Sequence, residues 1–131
     1  MLHPNQFHVN KTWIAFQLNE APIITDRDGD FNIIALMDAA SCFILGIGFV
    51  KTDALEISRK EAKKLLRAGY DHNKKYPKEI IIPNHLKVDA LAREAKSKKI
   101  KIRNEEENML EIILGEARES FREHSGQGRK H

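Results

Sequence analysis

Residues 31–50, FNIIALMDAASCFILGIGFV, decide the fold. They read as two long apolar strands, Phe31 to about Met37 and Cys42 or Phe43 to about Val50, joined by Asp38-Ala39-Ala40-Ser41. So short a link cannot hold a crossover, so the pair is antiparallel. Both strands are apolar at nearly every position, which predicts a sheet covered on each face, by helices on at least one side. Gly46 and Gly48 fall on one face of the second strand, where a helix can approach closely or a bulge can form.

Upstream, TWIAFQL (12–18) is β-branched, aromatic and apolar, the composition of another strand. Asn19 to Pro22 interrupt it. Ile23 to Thr25 can resume pairing before Asp26-Arg27-Asp28-Gly29-Asp30, in which Asp-Gly supplies the positive φ of a hairpin. Downstream, Ser58-Arg59-Lys60-Glu61 has the spacing of a capping box. Ala62, Leu65, Leu66, Gly69 and Tyr70 then form a helical stripe that ends near Tyr76, because Pro77 follows. Glu79 to Ile82 is a short buried strand stopped by Pro83. Asn84 then caps or precedes a second helix built on Val88, Leu91, Ala92 and Ala95. KIKIR (99–103) alternates as a strand near an edge. Asn104 and Glu107 repeat the capping spacing before a last helix on Leu110, Ile113, Leu114, Ala117 and Phe121, which runs to about His124.

Three antiparallel strands followed by two helix-linked strands give an α/β fold. It is a mixed five-stranded sheet of order 3-2-1-4-5, strand 2 antiparallel, with three helices and right-handed crossovers. Residues 12–124 are expected as a single domain. Residues 1–11 are expected as a flexible arm or a short docking segment, and 125–131, SGQGRKH, as a disordered basic tail.

With 131 residues, 41% of them hydrophobic, the chain can close one core without disulfides. Its only cysteine, Cys42, rules out an internal disulfide or a zinc ribbon and suits a reducing compartment. The first residues lack the pattern of a secretory signal, and no apolar run spans a bilayer, so a soluble cytoplasmic protein is expected. Net charge is unevenly spread: −3 over residues 1–50, +9 over 51–103, −5 over 104–123 and +2 in the tail. Such a basic middle can offer a positive face to nucleic acid, although lysine-rich helices are also ordinary soluble helices.

Asp38-x-x-Ser41-x-x-Ile44-x-Gly46 is similar to the passage joining the second and third strands of integrase and transposase domains. Together with the element order and Trp13 in the first strand, it makes the chain resemble the ribonuclease H-like fold. The resemblance implies two metal ions held by acids on the first strand, at the end of the fourth and on the last helix. Here Phe16 stands in place of the first acid, with Gln17 beside it, and Pro83-Asn84 in place of the second. Only Glu116 and Glu119 remain near the third. A fainter resemblance, to a group of uncharacterised prokaryotic proteins, rests on the spacing of Trp13, Pro22, Asp38, Gly46, Pro77, Ile80, Ile82, Leu91, Ala95, Ile100 and Ile102.

Other constellations have plainer readings. Asp26, Asp28 and Asp30 do not match a calcium loop, since Gly29 is fourth and Met37 twelfth, and suit a solvated turn. The histidines have no metal-ligand spacing. Cys42, among apolar residues, reads as an inert core thiol. Asp38 suits a turn, accepting backbone hydrogen bonds with help from Ser41. No phosphate-binding glycine loop or nucleophile elbow is present.

The expected function is therefore a ribonuclease H-like domain that has lost its catalytic acids and binds nucleic acid, or a protein partner, in a mobile-element or DNA-processing system. No cofactor is expected. The candidate nucleic-acid contacts are Arg59, Lys60, Lys63, Lys64, Arg67, Lys96, Lys98, Lys99, Lys101 and Arg103. One alternative is a Mg²⁺- or Mn²⁺-dependent nuclease using Asp38, Glu116 and Glu119. Another is a homo-oligomer paired through the KIKIR edge.

Overall fold

In the computed structural model, which describes residues 1–125, the strands are β1 (Thr12–Gln17), β2 (Phe31–Asp38), β3 (Ile44–Lys51), β4 (Glu79–Pro83) and β5 (Lys101–Glu105). The helices are α1 (Arg59–Asn73), α2 (Asp89–Ser97) and α3 (Glu111–Ser125), with 3-10 turns at Pro4–Gln6 and Glu107–Leu110. The sheet order is β3-β2-β1-β4-β5, with β1 antiparallel to β2, β2 antiparallel to β3, and β1, β4 and β5 parallel. This is the order expected from the sequence. Among the described residues no helix is long and apolar enough to cross a membrane.

Strand alternation sorts the core into two layers. Trp13, Ala15, Ile34, Leu36, Ile80 and Ile82 face α1 and α2. Ile14, Phe16, Leu18, Ile33, Ala35, Met37 and Ile81 face α3, which contributes Ile113 and Leu114. The first layer requires a close approach. A Cβ on Gly69 of α1 would lie 2.6 Å from the Trp13 ring, and one on Gly46 of β3 would lie 2.7 Å from the Ala68 Cβ. Bare backbone on each side lets α1 sit directly on the sheet.

Several local expectations are corrected. Ser58 accepts the Glu61 amide at 3.1 Å, but the Glu61 carboxylate turns away and accepts the Phe49 amide at 3.1 Å on the outer edge of β3. The box is half formed, and its acid covers a strand edge instead. Asn84 does not cap α2; Val88 holds that position, and the Glu56 carboxylate accepts the Ala90 amide at 2.8 Å. Asn104 belongs to β5, where its amide donates to the Ile82 carbonyl, and α3 starts later, at Glu111. Strand β3 is not covered on both faces: Ile47 and Phe49 are about two-fifths exposed at the edge of the sheet. Cys42 lies outside β3, in the turn, with φ of 60°.

Residues 1–11 are anchored rather than free. The Leu2 amide donates to the Met109 carbonyl at 2.8 Å, and Leu2 and Phe7 pack on the α3-side layer. Of the expected tail, Ser125 ends α3 and the rest lies outside the described residues.

Two helical glycines should respond oppositely to alanine. Nothing lies within 4 Å of a Cβ at Gly115, so Gly115→Ala should stabilise by about 0.5–1 kcal/mol through backbone entropy. At Gly69 a similar gain is opposed by overpacking against the indole, which costs about 1–3 kcal/mol. Urea unfolding should show Gly69→Ala less stable than wild type and Gly115→Ala more stable, at unchanged m-value.

Candidate nucleic-acid interface and the crevice opposite it

The basic residues occupy three elements. Arg59, Lys60, Lys63, Lys64 and Arg67 lie on α1, Lys96 on α2 with Lys98 and Lys99 just after it, and Lys101 and Arg103 on β5. The two helices pack on the same sheet face through Leu65, Leu66, Ala90, Leu91 and Ala95. That arrangement brings Lys63, Lys64 and Arg67 to one groove with Lys98, a volume of about 430 Å³ also lined by Tyr76 and Glu94. Sequence reasoning missed Tyr76, which lies 4.8 Å from Tyr70 between ring centroids. Its only signal is an aromatic residue just before Pro77, at the point where the chain turns back under the helix.

Not every cation faces outward with its charge free. Arg59 pairs with Glu94 at 3.2 Å, which ties α1 to α2, and Arg67 pairs with Asp71 at 3.2 Å. Arg103 lies 3.6 Å from Glu79 and 3.8 Å from Glu105, within the β4–β5 ladder. Lys60, Lys63, Lys64, Lys96, Lys98, Lys99 and Lys101 are exposed. Exposed ammonium groups are the ones available to phosphate.

The acids of the nuclease alternative are not gathered. The Asp38 carboxylate accepts three hydrogen bonds, from the Asn10 amide (2.7 Å), the Ser41 amide (2.9 Å) and the Ser41 hydroxyl (2.7 Å). It organises the β2–β3 turn and holds the segment before β1. Glu116 lines an apolar groove with Leu18, Cys42, Ile44 and Phe121, whereas Glu119 lines a different one with Glu111 and Arg122. Among the described residues no three His, Cys, Asp or Glu side chains converge on a point that could hold a metal. Burial, then the charges of Glu116 and Asp38, push the Cys42 thiol above its usual pKa and keep it protonated near neutral pH.

A second site lies where β1 and β4 end. A cleft of about 510 Å³ is lined there by Gln17, Asn19, Asn32, His85, Glu107 and Arg118, among others. Asn19 is buried and fully used: it accepts the Ile33 amide and donates to the Ala21 carbonyl and to Asn32. The Asn84 side chain donates to Glu106 at 2.8 Å, and His85 lies 3.7 Å from Glu107. Arg118 enters from α3. Its Nε and Nη2 donate to the Gln17 carbonyl at 3.1 and 3.0 Å, and Nη2 donates to Glu107 Oε1 at 2.7 Å. The guanidinium carbon is 5.7 Å from the centre of the Phe16 ring, which is fully buried.

This donor set does not fit a divalent cation. Phe16 offers no oxygen, and the carboxylate bonded to Arg118, Glu107, is paired by the guanidinium itself; Glu20, Glu111 and Glu119 line the adjoining cleft without converging on one point. From the sequence Glu107 reads only as a capping acid, and Arg118 is not singled out. The signal for Arg118 was its place four residues after Leu114 and eight after Leu110, in line with an apolar stripe that a charged residue would normally avoid.

No family model matches the chain, and no curated protein does. Among solved structures, it is similar to a chain of the simian T-cell lymphotropic virus intasome in complex with PP2A regulatory subunit B56 gamma. That match has a TM-score of 0.56 at 14% identity, and covers 100% of this chain and 45% of that one. It also aligns with the HTLV-2 integrase catalytic core domain in complex with magnesium, at a TM-score of 0.49 and 14% identity, over 87% of this chain and 67% of that one. The chain thus spans less than half the length of the intasome chain, and at such identity the likeness is one of fold. Together with the sheet order and helix placement, it shows the ribonuclease H-like fold.

Proposed function

We propose that the domain acts by binding nucleic acid through the outer surface of α1 and α2, without cutting it. The observation that carries this reading is the shared groove of Lys63, Lys64, Arg67 and Lys98, built from residues far apart in sequence. Ammonium groups held along one face suit a phosphate backbone, whose neutralisation releases counterions and drives association. Tyr76 beside them offers an aromatic face. The fold likeness to an intasome chain favours nucleic acid over other polyanions, and a mobile-element or DNA-processing system as its setting.

Contacts of this kind are read by salt. Filter binding to duplex and single-stranded oligonucleotides should give log K falling linearly with log salt, with a slope of about −2 to −3 if Lys63, Lys64 and Lys98 each meet a phosphate. The triple variant Lys63→Ala/Lys64→Ala/Lys98→Ala should reduce that slope by about 2–3 and weaken binding similarly for all sequences. Incubation with Mn²⁺ should leave the oligonucleotides intact. No binding even at low salt, or a triple variant that binds like wild type, refutes the proposal.

A further inference from the structure

The geometry points to Arg118 as a tethered cation that holds, at the ends of β1 and β4, the place a divalent ion would take in a metal-dependent protein of this fold. Three features converge on this. The guanidinium binds a backbone oxygen of β1 and a carboxylate at once, which are the two ligand types a hard cation would recruit. It is half-buried, with 22% of its side chain accessible, and its charge is paired locally with Glu107. Finally, Phe16 presents an aromatic ring to it, a partner that suits a guanidinium and cannot ligate a metal.

Replacing the ion by a side chain has a physical consequence. A metal must be supplied from solution and its site pays for the repulsion of gathered carboxylates when empty. An arginine is always charged and arrives with α3. The Glu107 carboxylate therefore already has a cation in the free protein, and among the described residues no three acidic, imidazole or thiol side chains converge to offer a divalent ion a site. Arg118 is here a positioning residue: it fixes α3 to the end of β1 across 101 residues of sequence. This inference is independent of nucleic-acid binding on the opposite face, and either can fail alone.

The test is metal binding and metal-dependent stability. In wild type, Mn²⁺ at millimolar concentration should leave the NMR signals of Gln17 and Glu107 unbroadened and the melting temperature unchanged relative to matched NaCl. Arg118→Glu places a second carboxylate against Glu107 and the Gln17 carbonyl. It should melt well below wild type and recover on adding Mn²⁺ or Mg²⁺, but not NaCl, because an ion bound only by the folded state stabilises it. Should that variant fail to fold in either salt, Arg118→Asp offers the second carboxylate on a shorter stem, and Mn²⁺ should then broaden Gln17 and Glu107 in the variant alone. Saturable Mn²⁺ broadening at these residues in wild type overturns the inference. So does a folded Arg118→Glu whose melting temperature responds equally to Mn²⁺ and NaCl, or a folded Arg118→Asp whose signals Mn²⁺ leaves untouched.

Discussion

The contact of the Trp13 indole with the bare backbone of Gly69 sets the rest of the α1–α2 side in place. A large ring at the start of β1 would ordinarily hold a helix away from the sheet. Glycine at the point of contact lets α1 descend onto it, and Gly46 allows the same approach over β3. Once α1 is seated, Leu65 and Leu66 share a core with Leu91 and Ala95 of α2, and the Arg59–Glu94 pair joins the two helices at the surface. The cationic groove is a result of that packing. Its lysines come together because apolar residues one turn away are fixed.

The other face of the sheet depends on a different polar link. Helix α3 buries Ile113 and Leu114 on the second layer, but this leaves its position along β1 weakly specified, since apolar contact is not directional. Arg118 supplies direction. Two hydrogen bonds to one carbonyl and a third to Glu107 fix both the helix and the 3-10 turn before it. A guanidinium, a carboxylate and an aromatic ring thus meet at the end of β1.

The strand order was legible because each apolar run was bounded by a breaker: Asn19–Pro22, Asp28-Gly29, Pro77 and Pro83. Runs alone did not show which strand lies at an edge, so β3 was expected to be covered where Ile47 and Phe49 are in fact open. The capping pattern at Asn104 and Glu107 misled for a related reason. Backbone pairing of β5 with β4 continues to Pro83 and Glu105 and outweighs a local helix start. The candidate basic residues could be found by composition, but their meeting at Lys98 could not, since it depends on how α1 and α2 pack. Neither could the Glu107–Arg118 pair. The two are eleven positions apart, and the 3-10 turn that Glu107 begins, running straight into α3, brings them together.

Whether Arg118 or a metal ion is the cation beside Glu107 at the ends of β1 and β4 can be seen directly. A crystal grown in MnCl₂ and measured at the manganese absorption edge tests it most directly. The account predicts no anomalous peak in the crevice, with Arg118 bonded to the Gln17 carbonyl and Glu107. A peak within coordination distance of Glu107, with the Arg118 side chain displaced, would contradict it.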